Sequence, residues 1–322
     1  MPRKFLNEYG ERERVNDVFV LGEKQLRQNR NGNLYLQMRL ADKSGSCNAM
    51  MWDADEKEGK QFRNGDYVSV EGLSQFYNGS MQIIVNSIEL AEPGSVNEED
   101  FVHVDRDQIE KLVVQAKELL NAMQNEHLVR LANSFLEDEA FMRKFTMAPA
   151  AIKNHHAYRG GLLDHVVQLM RLARKVAEDY DEIDDDLLVM GAFLHDVGKI
   201  DELTYQRDLG YSDEGQLIGH LVMGVSILER QIEKVSAPID NYVFPYELAL
   251  RLKHMIVSHH GRLEFGSPKV PMTLEAVALS YIDDLDAKIR NFKQLMDDDA
   301  NDGPWTTYHP NLERKLFKGS NG

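Results

Sequence analysis

The sequence predicts a two-domain chain, a small all-β barrel followed by an all-α helical bundle. Three observations predict it. The first 92 residues alternate apolar and polar side chains with period two and are broken by Asn-Gly pairs. From residue 108 onward, apolar residues recur at i, i+3 and i+4 instead. Between these regions lies PGSVNEEDFVHVDRD, rich in Pro, Gly and acids and without clear periodicity. The expected layout is a β domain over 1–92, a linker over 93–107, a helical domain over 108–300 and a tail over 301–322. A length of 322 residues suits two domains.

In the β domain, Asn33 to Leu40 puts Leu34, Leu36, Met38 and Leu40 on one face and Tyr35, Gln37 and Arg39 on the other. Tyr67 to Glu71 alternates in the same way. Gln75 to Tyr77, then Asn78–Gly79, then Ser80 to Val85 reads as a hairpin, because Asn-Gly suits a type I′ turn. Asn31–Gly32 and Asn64–Gly65 mark further turns. Roughly five short strands in this length favour a small barrel over a sandwich. Helices are expected over Ile109–Met123, Glu126–Leu136, Leu162–Glu178, Asp185–His195, Gly219–Val235, Tyr246–Ser258 and Leu274–Leu295.

Composition narrows the function. The chain carries 37 Lys+Arg against 53 Asp+Glu, a net charge of −16, which argues against coating duplex nucleic acid through a broad basic surface. The charge is uneven. Residues 1–95 hold 12 basic and 14 acidic residues, so the remaining 25 and 39 place a net −14 on the helical part. The first 45 residues are locally positive, with 9 basic against 6 acidic. One cysteine, Cys47, excludes a disulfide framework or a Cys-based zinc ribbon and suits a reducing compartment. No apolar run is long enough to span a membrane, and MPRKFLNEYGERERV lacks the apolar core of a secretory signal. A cytoplasmic protein that does not enter membranes is expected.

The histidines carry the chemistry. His195–Asp196 closes an apolar helix in LLVMGAFLHDVGK, where Gly198 allows a tight exit and Lys199 adds a cation. His165 lies upstream in GGLLDHVVQLMRLA. His220 (LIGHLVMG), His259–His260 (VSHHGRLEFGSP) and Asp283 (LSYIDDLDAKI) follow downstream. A single histidine on an apolar helix is usually a satisfied core residue. This ordered set, on helices of one domain, points instead to a metal site in a bundle core. Mixed nitrogen and oxygen ligation suits Mn, Fe, Co, Ni or Zn better than Ca. Of the other histidines, His254 reads as core or as a support for a ligand. His103, His127 and His309 fall outside the pattern.

This order resembles the HD superfamily of metal-dependent phosphohydrolases, named for its His-Asp pair. The resemblance implies His165 as first ligand, His195 and Asp196 as the doublet, and Asp283 as the closing carboxylate. His220, His259 and His260 resemble the extra histidines of two-metal members such as the HD-GYP phosphodiesterases. The sequence departs from that group, with Gly261 in place of Glu and GSP (Gly266–Pro268) in place of GYP. The implied arrangement has Asp196 bridging two metals. His165, His195 and Asp283 would hold one metal, and His220, His259 and His260 the other, unless one of the last pair only orients its neighbour. A metal-activated hydroxide would attack the phosphodiester. Lys199 would clamp phosphate, or else be a solvated helix-end cation. His155, His156 and Arg159 would contact the terminal nucleotide or leaving group, or else cap the Gly160–Gly161 turn.

The N-terminal part, with LADKSGSCNAMMWD and FRNGDYVSVEGLSQFYNGSMQIIV, resembles an OB-fold of the anticodon-binding and single-strand-binding type. An OB-fold joined to NHHAYRGGLLDH and HDVGK is similar to the YhaM-type 3′–5′ exoribonucleases of bacteria, across about residues 10–295. That resemblance implies single-stranded RNA or DNA as substrate, degraded from its 3′ end. It implies two divalent ions, with Mn²⁺ ahead of Co²⁺, Fe²⁺, Ni²⁺ or Mg²⁺. Single strands are held by aromatic stacking plus nearby cations, which nominates Tyr35, Arg39, Tyr77, Arg27 and Arg30, with Trp52 assigned to the core. Two other readings stay open. One is a nucleotide phosphohydrolase with a regulatory OB domain, and the other a non-catalytic single-strand-binding module. A homo-oligomer is compatible with each.

Overall fold

The computed structural model describes residues 3–29, 31–77, 80–92, 94, 96–97, 100–101, 106–152, 158–205, 210–236, 242–297, 299, 301 and 303–319. The chain forms two compact units. One comprises Met1–Val104 with Thr204–Leu209, and the other Asp105–Leu203 with Gly210–Gly322.

The first unit is a closed barrel of β1 (Arg14–Gln28), β2 (Leu34–Asp42), β3 (Gly45–Trp52), β4 (Tyr67–Tyr77) and β5 (Ser80–Leu90), in the order β1-β2-β3-β5-β4. A short helix, α1 (Glu56–Gln61), joins β3 to β4 and is capped by Asp55. Only β3 and β5 run parallel; the other ladders are antiparallel. The alternation of β2 holds. Leu36, Met38 and Leu40 are buried in the barrel core with Phe19, Leu21, Phe62 and Ile83, and Tyr35, Gln37 and Arg39 face outward.

Two strands differ from the sequence reading. Tyr67–Glu71 and Gln75–Tyr77 are one continuous strand, bent by a bulge at Glu71/Gly72. Trp52 is not core: it is 49% exposed. The inward residues of β3 are Cys47, Ala49 and Met51, so Trp52 falls on the outer phase. There it pairs with Tyr35 across the β2–β3 ladder, with ring centroids 5.2 Å apart. The β4–β5 ladder extends to Tyr77↔Ser80, and the intervening Asn78 and Gly79 lie outside the described residues.

The second unit is helical: α2 (Arg106–Asn121), α3 (Glu126–Leu136), α4 (Glu139–Phe145), α5 (Gly161–Ala177), α6 (Asp185–Leu194), α7 (Lys199–Glu202), α8 (Asp213–Ile218), α9 (His220–Val235), α10 (Tyr246–Ser258) and α11 (Leu274–Asp297). A two-stranded ribbon, β6 (Leu203–Thr204) and β7 (Gly210–Tyr211), links α7 to α8. Helix α6 is the axis. Every residue from Asp186 to Leu194 is buried, because α2, α3, α5, α10 and α11 all pack on it. Phe193 of α6 meets Phe135, Phe141 and Phe145 edge to face. Full burial of one such ring stabilises by about 1.5–3 kcal/mol.

Acidic residues start several helices. Asp138 and Asp184 cap α4 and α6 by accepting backbone N–H bonds from Phe141 and Leu187. The tail, patternless in sequence, folds back through bridges Trp305↔Phe317 and His309↔Arg314. Among the described residues no helix is long and apolar enough to cross a membrane.

Candidate metal centre

Seven side chains of the second unit converge on one point. His165 comes from α5. His195 and Asp196 follow the end of α6. His220 opens α9, His259 and His260 follow α10, and Asp283 comes from α11. His165 Nε2 lies 3.2 Å from His195 Nε2 and 3.2 Å from Asp283 Oδ1. On the other side, His220 Nε2 lies 3.3 Å from His260 Nε2. Asp196 sits between the two groups. Its Oδ2 is 3.4 Å from His195 Nε2, and its Oδ1 is 3.5 Å from His259 and 3.6 Å from His220. The ligand atoms of His165, His195 and Asp283 lie within 4.8 Å of one another, as do those of His220, His259 and His260.

The backs of the rings explain their aim. His195 Nδ1 donates to Ala192 O at 2.8 Å, and His259 Nδ1 to Ile256 O at 2.8 Å. Both are C-caps, of α6 and α10, so each ring satisfies a last-turn carbonyl that its helix leaves unpaired. His260 Nδ1 donates to Phe265 O at 2.9 Å. His220 Nδ1 meets Glu202 Oε1 at 2.9 Å, and His165 Nδ1 meets Asp286 Oδ2 at 3.1 Å. These partners can only accept, so each imidazole keeps its proton on Nδ1 and turns a lone pair on Nε2 into the centre. Two helix C-termini pointing at the same spot add negative potential there.

Glu202 and Asp286 are contributors that sequence reasoning missed. Each had a local signal: Asp286 is three residues past Asp283 on one helix face, and Glu202 is three past Lys199.

The donor set fits divalent ions. Five imidazole nitrogens and the oxygens of two carboxylates converge here, and buried Asp196 Oδ1 has no hydrogen-bond partner. Burial alone would lower the His165 imidazole, yet Asp283 and Asp286 outweigh it and raise it to about 9. His259, buried and with weaker carboxylate support, is pushed down to about 4. Burial opposes ionisation of Asp196, but Lys199 and His195 hold its carboxyl well below the usual range. Burial likewise opposes ionisation of Asp283, which His165 and His195 hold low.

Lys199 is not a solvated helix-end cation. Its Nζ lies 2.6 Å from Asp196 Oδ2 and is mostly enclosed. Arg159 is half-buried at the turn that starts α5, while His155 and His156 lie outside the described residues. Gly198 is helical (φ −62), so its role is not to open the chain but to let α9 approach. A Cβ there would sit 2.0 Å from His220 O. His254 accepts the Met272 backbone N–H and His127 meets the Tyr242 hydroxyl, both away from the centre.

The outer face of the barrel carries the other nominated residues. Arg27 pairs with Tyr35 across β1–β2, and Tyr35 with Trp52 across β2–β3. Arg39 extends to Glu23 at 3.1 Å and to Ser46. Tyr77 is exposed at the end of β4. Arg30 lies outside the described residues.

A barrel of this topology in one unit and a helical centre of this composition in the other define an OB-fold nucleic-acid-binding module and an HD-superfamily metal-dependent phosphohydrolase in one chain. Residues 162–288 match the HD domain family, and residues 18–91 the OB-fold nucleic acid binding domain. The chain is 34% identical to the 3′–5′ exoribonuclease YhaM of Geobacillus sp. (strain WCH70) over 288 residues, which are 89% of this chain and 86% of that one. It is also 34% identical to the 3′–5′ exoribonuclease YhaM of Bacillus subtilis (strain 168) over 268 residues, 83% of this chain and 82% of the other. The chain belongs to this YhaM family.

Proposed function

We propose that the protein shortens single-stranded RNA from its 3′ end by hydrolysing phosphodiester bonds at this centre, and that it can also take single-stranded DNA. The observation that carries the reading is the paired ligand group. His165, His195 and Asp283 would hold one divalent ion, His220, His259 and His260 the other, and Asp196, with one oxygen toward each group, would bridge them. When bound, the ions supply a Lewis acid for the phosphate and an activated water. The imidazoles are oriented beforehand by their Nδ1 partners, which limits the rearrangement needed to load metal. The resemblance to the YhaM family favours Mn²⁺, and the mixed nitrogen and oxygen ligation also admits Co²⁺, Fe²⁺ or Ni²⁺. Lys199 holds Asp196 in place and would supply a cation for the phosphate at the centre. Arg159 and His156 would steady the strand end at the start of α5.

On the barrel, Tyr35 and Trp52 would form a stacking surface for bases, with Arg27 and Arg39 supplying cations and exposed Tyr77 a further ring. Stacking on a few aromatics needs no broad basic field, which accommodates a net charge of −16. Buried Cys47, its thiol pushed up to about 12 by burial, is inert and compatible with a cytoplasmic setting.

The test is a 5′-labelled single-stranded RNA incubated with Mn²⁺, Mg²⁺ or chelator. A ladder that shrinks from the 3′ end with Mn²⁺ and stops with chelator is expected. Asp196→Ala should abolish it while helical circular dichroism persists. Phosphate release from free nucleotides, with labelled RNA intact, would point to a nucleotide phosphohydrolase instead.

A further inference from the structure

Beside the metal centre lies a cavity of about 460 Å³ that the ligand set does not use. Its wall begins at His260 and continues through Arg262 and Phe265 to Ser280, Tyr281 and Lys288 of α11. His260 thus faces two ways, its Nε2 toward His220 and its flank toward the cavity. Two large aromatics stand exposed here, Tyr281 at 72% and Phe265 at 62%. Arg262 places its guanidinium 5.8 Å from the Phe265 ring centre, and among the described residues it meets no carboxylate within ion-pair range.

The turn that forms one wall of the cavity depends on Gly261. This residue has φ +78, and a Cβ on it would sit 2.5 Å from Ser280 Oγ. Glycine lets the turn after α10 fold tightly onto α11 and double back through Leu263–Phe265. A glutamate at this position, as in the HD-GYP pattern, would collide with Ser280.

We propose that this cavity receives the 3′-terminal nucleoside of the strand, its base stacking on Tyr281 and Phe265 while the adjoining phosphodiester reaches the metal centre; this rests on the exonuclease reading. The volume is in the range of small-ligand pockets, enough for one nucleoside and not for a run of them. One-nucleoside capacity next to the ligands fits an enzyme that removes end units. Aromatic stacking accepts every base, because each has a π-face, so the site would grip any terminal base without selecting one. Arg262 beside the ring adds the cation that such platforms use.

The experiment uses the full-length protein loaded with Mn²⁺ and two 5′-labelled RNAs. One ends in an ordinary nucleotide and the other in an abasic ribose. Wild type should remove the abasic unit about tenfold more slowly, the scale of one lost stack. Tyr281→Ala should shrink the difference to about threefold, with Phe265 as the remaining stack, and Tyr281→Phe should restore it. Mn²⁺ affinity, read by calorimetry, should match wild type in both variants. The proposal is overturned if wild type ignores the missing base, if Tyr281→Ala discriminates as strongly as wild type, or if only an abasic unit one position inward slows the reaction. Loss of Mn²⁺ affinity in Tyr281→Ala would make the residue structural and overturn it too. RNA left whole by wild type would overturn the exonuclease reading and this proposal together, whereas RNA shortened without terminal-base dependence overturns this proposal alone.

Discussion

Asp286 stands behind His165, on the ring nitrogen turned away from the centre, and it should set how tightly the centre holds metal. Its Oδ2 lies 3.1 Å from His165 Nδ1, with the two side chains 7% and 4% exposed. Water therefore cannot replace it when it is removed. A hydrogen bond to a charged group in such a place contributes about 1.5–3 kcal/mol, a factor of roughly 10–150. Partners that orient metal-bound histidines typically account for about 10–100-fold in affinity. Asp286→Ala should thus raise the Mn²⁺ concentration for half-maximal RNA shortening by about 10–100-fold. At saturating Mn²⁺ the rate should recover to within about threefold of wild type, because the ligands themselves remain. Asp286→Asn keeps an acceptor without the charge and should fall between the two. The assay is a metal titration of the initial rate, paired with calorimetric Mn²⁺ binding. An unchanged metal requirement in Asp286→Ala, or a loss that saturating metal does not repair, would refute the argument that the carboxylate acts through the ring.

Three further outcomes are expected. Gly198→Ala drives a Cβ to 2.0 Å from His220 O and 2.8 Å from Gly224 N, so α9 must shift. That should destabilise by about 1–3 kcal/mol and weaken metal binding, and an unchanged melting temperature would count against close packing there. Trp52→Ala should weaken single-stranded RNA binding about tenfold, measured by anisotropy, with Mn²⁺ affinity untouched; equal loss of both would remove the barrel from the binding role. Asp138 accepts from Lys234, Phe141 N–H and Gln231, and its carboxyl is held down to about 2, first by Lys234 and then by the Phe141 N–H. A carboxylate held low contributes stability above its unfolded value of about 3.9 and loses it as pH falls toward 2. The melting-temperature gap between wild type and Asp138→Asn should therefore close over that window; a gap that persists at pH 2 would be contrary evidence.

The sequence was most readable where one periodicity ruled a whole element. Strand β2 alternates without interruption, and its buried and outward faces could be read residue by residue. Helix α10 was legible to its end residues, because His259–His260 and Gly261 terminate it. Strand β4 was not, because the bulge at Glu71/Gly72 resets the alternation and makes one strand look like two. Trp52 was misplaced because β3 had no assigned phase, and a large aromatic defaults to the core when phase is unknown. At the site, residue types that coordinate metal stood out from their neighbours. Glu202 and Asp286 did not, since a carboxylate that grips the back of an imidazole looks like any other acid on a helix. Gly198 showed that a glycine after a helix can be chosen for the chain that packs against it.

The caps made by His195 and His259 change how an alanine scan of the centre must be read. Each ring closes its own helix through a carbonyl at 2.8 Å while turning its other nitrogen toward the candidate metal centre. Truncating either removes an ion contact and frays a helix end in one stroke. The stability lost would overstate what the ions contribute to the fold. His165 and His220, whose rings lean on carboxylates from other helices, would give cleaner knockouts, and a comparison of the two pairs would separate fraying from demetallation.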